Sequence, residues 1–169
     1  MRTHEHEVAE QAFLRGLSAR HLAQIAEYVS DVRFPAGEFV FREGEEAGLF
    51  YIITRGRIAL EIYGPGRGPI PIATLHEGDA LGWSWLFPPY RWHFDARTLE
   101  ASAALAFDAP RLRALCDADH DLGYDLMQRF AQTITQRLQA TRMQLLDVYG
   151  DHTGSRSRQL RNGGVRHGD

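Results

Sequence analysis

The chemically most distinctive stretch of the sequence is "GDALGWSWLFPPYRW", residues 78–92. It contains every tryptophan of the chain: Trp83, Trp85 and Trp92. An indole ring is large and apolar, and its N–H needs a hydrogen-bond acceptor when it is buried. Two interpretations are open. The rings either line a pocket for a planar or apolar ligand, or they fill a corner of the hydrophobic core.

Other reactive side chains have no partners at catalytic or metal-binding spacing. Ser84 has no recognisable general base, and Cys116 lies in a predicted helix, so we predict no catalytic residue and no enzyme. His76 and His93 are isolated from further ligands, and the "HEH" of residues 4–6 lies at the terminus. We therefore predict no metal site and no cofactor.

Composition narrows the class of protein. The 169 residues carry 19 Lys and Arg against 22 Asp and Glu, so no basic excess points to nucleic acid or to an anionic membrane surface. One cysteine excludes an intrachain disulfide and favours a reducing compartment. No apolar run reaches membrane-spanning length, and the N-terminus lacks the apolar core of a signal peptide. We expect a cytoplasmic protein without a membrane segment.

The periodicity of the sequence changes twice along the chain. Residues 7–30 predict one or two short helices, with Ser18 as an N-cap. Residues 31–108 contain short apolar runs separated by glycines, which is typical of a β-sandwich or barrel. Within them, "FYIITRGRIALEIY" predicts a hairpin around "TRGR". From Ala109 the pattern is helical again, first in "APRLRALCDAD", where Pro110 suits the first turn.

A long helix is predicted over residues 121–149. Its apolar positions recur every three or four residues and include Leu126, Phe130, Ile134, Leu138 and Leu145. Such a helix is roughly 40 Å long, which exceeds the width of a small barrel. We therefore predict that these side chains form a homodimer interface within a domain of residues 1–150. The polar residues 151–169 predict a disordered tail.

Three stretches carry a resemblance in matching order: "FPAGEFVFREGEEAGLFYIITRGRIAL", "LHEGDALGW" and "DLMQRFAQTITQRLQ". They resemble the first strands, the Gly-Asp turn before the phosphate-binding cassette and the dimerising helix of a known family. That family is the cyclic-nucleotide-binding domain of the bacterial catabolite-activator and anaerobic-regulator superfamily. The resemblance covers about residues 12–149. It implies an α+β fold, a jelly-roll β-barrel with short N-terminal helices and a long C-terminal helix.

The cassette of this chain departs from the pattern of that family. The family places a glutamate after the first glycine, and later an arginine followed by a hydroxyl residue. Here Trp83 follows Gly82, and His93 and Phe94 stand at the arginine and hydroxyl positions. Arg91 lies out of register, and replaces the arginine if its loop folds inward. The candidate ligand pocket comprises Gly82, Trp83, Ser84, Trp85, Arg91, Trp92, His93 and Phe94.

These observations leave several functions open. The first is a homodimeric small-molecule sensor of this fold, with an unknown ligand, that does not bind cAMP or cGMP in the usual way. The second is a dimerisation or interaction module that binds no ligand and has an unidentified protein partner. The third is a relative of transcription regulators that lacks the helix-turn-helix domain. We expect no specific DNA binding, since only a short polar tail follows the long helix.

Overall fold

The computed structural model describes the backbone of residues 4–159 and the side chains of residues 4–147 and of Tyr149. The chain divides into two compact units, residues 1–133 and residues 134–169. All strands belong to the first unit. Among the described residues, no helix is both long enough and apolar enough to cross a lipid bilayer. The helices are α1 (Glu5–Glu10), α2 (Ala19–Ala26), α3 (Ala109–Ala118) and α4 (His120–Gln159).

Within residues 4–159, eight strands form two four-stranded antiparallel sheets, as the predicted jelly roll requires. One sheet has the order β1-β8-β3-β6 and the other the order β2-β7-β4-β5. Sequence neighbours therefore often lie in different sheets, which is the arrangement of double-sheet jelly rolls. The strands are β1 (Val29–Phe34), β2 (Phe39–Phe41), β3 (Leu49–Arg55), β4 (Ile58–Gly64), β5 (Gly68–Leu75), β6 (Ala80–Leu81), β7 (Asp95–Thr98) and β8 (Ser102–Asp108).

The predicted hairpin around "TRGR" is wrong. Strand β3 pairs with β6 and β8, whereas β4 pairs with β5 and β7, so the turn crosses from one sheet to the other. Gly56 makes the crossing at φ +88°, and a Cβ there would lie 2.9 Å from the carbonyl oxygen of Ala101. Two apolar, β-branched strands that flank a glycine have the same sequence pattern whether they pair with each other or with other strands.

The short helices begin where the local signals predict. The Ser18 side chain accepts a hydrogen bond from the backbone N–H of His21 and so caps α2. The Asp108 side chain does the same for α3 through the N–H of Arg111, and Pro110 lies in the first turn. These caps need only neighbouring residues, which is why the sequence predicts them well.

An aromatic cluster joins the first β-sheet to the helices. The ring of Phe50 on β3 stacks on Phe107 of β8, with 4.3 Å between centroids, and on Trp85 at 5.3 Å. The ring of Phe130 on α4 meets Phe50 and Trp85 edge-on at 5.3 and 5.5 Å. The residues that follow β6 are thereby held against α4.

The long helix is confirmed, but two of its predicted features are corrected. Leu126 and Phe130 are buried in the core of their own chain, so they are not available to a dimer partner. Leu138 and Leu145, by contrast, are 68% and 56% exposed. The helix also continues to Gln159 instead of ending at residue 149, so residues 151–159 of the predicted tail are helical. Elongating an existing helix gains one hydrogen bond per residue and tolerates polar sequence. Residues 160–169 lie outside the described residues.

Candidate functional site

The turn after β6 is closed on its barrel side by a tryptophan ring. Gly82 has φ +94°, and a Cβ at this position would lie 2.5 and 2.7 Å from two carbons of the Trp92 ring. Trp92 is 5% exposed and stacks on Phe41 of β2, with 3.8 Å between centroids. Glycine is required here both by the backbone conformation and by the close approach of the ring. The space beside this turn is therefore filled by indole.

Trp83, Ser84, His93 and Phe94 pair with one another across the loop. The rings of Trp83 and Phe94 meet edge-on, with 5.7 Å between centroids. The Ser84 Oγ and the His93 Nδ1 are hydrogen-bonded at 2.9 Å. Trp83 and His93, which were predicted to replace the glutamate and the arginine of the resembling family, thus each contact a neighbouring side chain of the loop.

Trp85 belongs to the core and not to a pocket in the barrel. It lies in a short 3-10 turn, Ser84–Leu86, and its side chain is fully buried against Phe50 and Phe130. Its indole N–H has no hydrogen-bond partner among the described residues. Its backbone carbonyl accepts a hydrogen bond of 2.8 Å from Nη1 of Arg113 on α3. Trp85 therefore anchors the turn to the helices.

The side chain of Arg91 is hydrogen-bonded to a neighbouring loop. Its Nη1 donates to the carbonyl of Gly44 at 2.8 Å, between β2 and β3. Backbone hydrogen bonds tie the same two loops: Gly44 N–H to the Trp92 carbonyl at 2.9 Å, Trp92 N–H to the Glu45 carbonyl at 3.0 Å, and Ala47 N–H to the Tyr90 carbonyl at 2.7 Å. The structure thus gives Arg91 a role in joining loops.

A second arginine near the turn is held by a buried carboxylate. Arg97 on β7 donates through Nε at 3.2 Å and through Nη2 at 2.5 Å to the two oxygens of Glu61 on β4. The hydrogen bond to Glu61 raises the pKa of Arg97 above its ordinary value. Such a bidentate pair is directional and strong. The charge of Arg97 is therefore neutralised within the sheet, a pairing that the sequence analysis did not foresee.

A cavity of about 410 Å³ lies on the other side of the turn, between it and the helices. We call it the helix-side cavity; its walls include Trp85, Tyr90, Arg113, Cys116, Tyr124 and Met127. Of its lining residues, only Trp85 was among the predicted site residues. The available signal was helical spacing, since Arg113 and Cys116 on α3, and Tyr124 and Met127 on α4, are each three residues apart.

Two groups in the helix-side cavity have defined electrostatics. The guanidinium carbon of Arg113 lies 4.1 Å from the centroid of the Tyr90 ring, a cation–π contact. Burial, followed by the charges of Asp117 and Asp119, raises the pKa of the Cys116 thiol to about 11. Cys116 is therefore a neutral thiol at physiological pH and a poor nucleophile.

His4 of the "HEH" segment lies beside two carboxylates. Its Nδ1 is 2.9 Å from Glu7 Oε2 and 3.8 Å from Asp31 Oδ2. Within the part of the chain that the structure describes, this is the one set of three potential metal ligands whose atoms lie within 4.8 Å of one another. Both carboxylates are exposed, and two exposed carboxylates around an imidazole also form ordinary ion pairs.

Comparison with protein families gives a match over most of the barrel. The model described as "Cyclic nucleotide-binding domain" matches residues 31–119, a little more than half of the chain. The "CRP-like cAMP-activated global transcriptional regulator" of Mycobacterium tuberculosis is 25% identical over 154 residues, which cover 90% of this chain and 67% of that protein.

Solved structures share the fold. The crystal structure of a cyclic nucleotide-binding domain from Methylobacillus flagellatus has a TM-score of 0.74 at 16% identity, covering 85% of this chain and 83% of its own. The regulatory subunit of a cAMP-independent protein kinase A from Trypanosoma brucei has a TM-score of 0.64 at 20% identity, covering 77% and 46%. At these identities the likeness concerns the fold.

Proposed function

Because the chain belongs to the cyclic nucleotide-binding domain family, we propose that it is a regulatory module that senses a small molecule other than cAMP or cGMP. The observation that carries the proposal is the Trp92 ring against Gly82. The turn that receives a cyclic phosphate in the resembling family is closed here by an aromatic side chain. The proposed module is still regulated by a bound small molecule, but that molecule is not cAMP or cGMP.

The binding free energy that cAMP and cGMP would lose at this turn supports the proposal. A charge-assisted arginine contact to a phosphate is worth about 1.5–3 kcal/mol. A buried ribose hydroxyl left without its carboxylate costs about 1–3 kcal/mol. Because each 1.4 kcal/mol is tenfold, the two losses together move a micromolar binder to roughly the millimolar range. His93 and Trp83 supply neither contact, and Arg91 and Arg97 are already bonded to Gly44 and Glu61.

The names of the similar proteins are compatible with a ligand other than cAMP for this chain. The mycobacterial relative is named as cAMP-activated, whereas the trypanosome structure is of a cAMP-independent protein. This fold is therefore found in proteins of both kinds. The residues at the turn, and not the fold, must decide which ligand is bound.

Isothermal titration of cAMP and cGMP into the purified protein tests the proposal. We expect dissociation constants of about 1 mM or weaker for both nucleotides. A constant below about 10 μM that is abolished by Arg91→Ala would show that Arg91 has rebuilt the cassette, and would overturn the proposal. Arg67→Ala, in the turn between β4 and β5, is the matched control for loss of an exposed arginine.

The proposed module is a homodimer through the part of α4 that begins at Leu138. Among the described side chains of that part, five apolar ones are more than half exposed: Leu138, Met143, Leu145, Leu146 and Tyr149. Exposed apolar stripes on a helix favour association with another helix, including a second copy. We expect wild-type protein to sediment as a dimer, and Leu138→Asp combined with Leu145→Asp to sediment as a monomer. Gln139→Asp is the control, and a wild-type monomer at micromolar concentration contradicts the prediction.

A second candidate function is a dimerisation or interaction module that binds no ligand. The filled space beside Gly82 favours it, because Trp92 completes the core there. A thermal-shift screen against nucleotides and aromatic metabolites separates the two candidates, since a ligand that binds only the folded state raises its stability. Stabilisation by any of these compounds favours the sensor, and its absence across the screen favours the module without a ligand.

A further inference from the structure

The helix-side cavity has the dimensions and walls of a ligand site. Its volume of about 410 Å³ lies within the range of roughly 300–1,000 Å³ that is usual for small-molecule sites. Tyr90, Tyr124 and Met127 supply apolar surface to its walls, and the last two are 64% and 41% exposed. Exposed aromatic and thioether groups that converge on a concave surface are typical of binding sites for planar compounds.

One oriented cation faces this apolar surface. Arg113 is held by its bond to the Trp85 carbonyl and by the ring of Tyr90. Within the described residues, its contacts are to a carbonyl and a ring, not to a carboxylate. A guanidinium carries five N–H donors, of which the Trp85 carbonyl takes one. Arg113 is therefore pre-organised to bind the carboxylate of another molecule.

A buried donor in the same wall lacks an acceptor. Trp85 lines the helix-side cavity, and its indole N–H has no partner among the described residues. Buried polar groups in folded proteins nearly always have a partner, so this orphaned donor is unusual. It has no accessible surface, so it lies behind the cavity surface and is not a contact point for the ligand.

The charge of the walls limits the charge of the ligand. Arg113 is accompanied by Asp117 and His120. Because Asp117 contributes a like charge, a dianionic phosphate is disfavoured more strongly than a single carboxylate, which can pair with Arg113 directly. Asp117 can instead accept a hydrogen bond from a hydroxyl group of the ligand.

We propose that the helix-side cavity binds a small aromatic monocarboxylate, whose carboxylate pairs with Arg113 and whose ring packs among Tyr90, Tyr124 and Met127. This rests on the proposed sensor function and gives it a site. The cavity is walled by the turn on one side and by α3 and α4 on the other. A ligand between them therefore joins the turn to the long helix.

The experiment measures binding and location together. Phenylacetate, para-hydroxybenzoate and indoleacetate are titrated into the full-length protein, with phenylacetamide, para-hydroxybenzamide and indoleacetamide as the uncharged controls. Location is read from Cys116, the only cysteine, which lines the cavity. Its alkylation at about pH 8.5 is followed by mass spectrometry with and without each acid. We expect at least one acid to bind at least about tenfold more tightly than its amide and to slow alkylation.

Two pairs of variants test the residues. Arg113→Met should weaken the acid at least about tenfold, while Arg111→Met, on the exposed face of α3, should not. Met127→Trp fills the cavity and leaves the bond between Arg113 and Trp85 in place, so it keeps the proposal testable if Arg113→Met unfolds. Gln132→Trp places the same ring at an exposed position of α4 that does not line the cavity, and should bind like wild type.

The outcomes separate the site from the function. An acid that binds without slowing alkylation, and with equal affinity for Met127→Trp, is bound elsewhere; the site is then wrong while the sensor function stands. Absence of binding by all three acids at about 1 mM overturns the proposed ligand class. Tight binding of cAMP or cGMP in the same assay contradicts the proposed function itself.

Discussion

The two sides of the turn between β6 and β7 differ in how completely they are packed. On the barrel side, the Trp92 ring is stacked on Phe41 and lies against Gly82, so no room remains beside the backbone. On the helix side, the same segment borders a cavity of about 410 Å³. Both sides are rich in aromatic residues, yet one is core and the other is a concave surface. The comparison shows that aromatic composition alone does not distinguish a segment that fills the core from one that lines a pocket.

The polar groups differ in the same way. On the barrel side, Arg91 and Arg97 bond to protein acceptors, the Gly44 carbonyl and the Glu61 carboxylate. On the helix side, Arg113 is oriented by a carbonyl and a ring and lacks a carboxylate among the described residues. Arg97 is already neutralised by Glu61, whereas Arg113 makes no ion pair within the described residues and lies next to an apolar wall, which favours an anionic ligand. Arg91 also bonds to a carbonyl, but its side chain is exposed. The proposed site therefore lies on the helix side.

The largest effect is expected at Trp85, which belongs to the core and also lines the helix-side cavity. Trp85 is fully buried between Phe50 and Phe130. Trp85→Ala should lower the free energy of unfolding by about 3–5 kcal/mol, because a large buried ring leaves a cavity. Trp83→Ala, at a half-buried ring, is the control and should cost clearly less. Urea denaturation measures both, and equal losses would show that Trp85 is not the anchor of the turn.

Much of the fold is predictable from the sequence, because its signals are local. The Ser18 and Asp108 caps depend only on residues within three positions, and the long helix on regular apolar spacing. The failed hairpin depends instead on which distant strand each arm meets. The pattern in "FYIITRGRIALEIY" fixes two strands and a turn, but strand partners are set by packing of the whole barrel.

The site was predictable in composition but not in arrangement. The sequence identified the aromatic segment and the absence of the glutamate and arginine. It could not assign the rings, because Trp92 is placed by Phe41 and Trp85 by Phe130, which lie far away in the chain. The helix-side cavity joins Tyr90 to Arg113 and Met127 across helices. The spacing of residues within one segment does not indicate contacts between distant segments.

An intermediate effect is expected at the tightest contact of the barrel side. Gly82→Ala places a methyl group 2.5 Å from the Trp92 ring at φ +94°, which should cost about 1–3 kcal/mol of unfolding free energy. In Trp92→Leu the ring is absent, so the same substitution should cost less and the double-mutant cycle should show coupling. Strictly additive losses would show that the ring does not fill the space beside Gly82, and the contrast between the two sides would fail.

The smallest effect is expected at Arg91. Its side chain is exposed, and its bond to the Gly44 carbonyl is one of several that join the two loops. Arg91→Ala should lower the free energy of unfolding by about 0.5–1.5 kcal/mol, the net value of one hydrogen bond. The backbone bonds from Gly44, Ala47 and Trp92 remain in the variant, so the loops should stay joined. A shift in the urea midpoint relative to Arg67→Ala measures the loss. A loss above about 2 kcal/mol would mean that Arg91, and not the stacked Trp92, holds the barrel side closed.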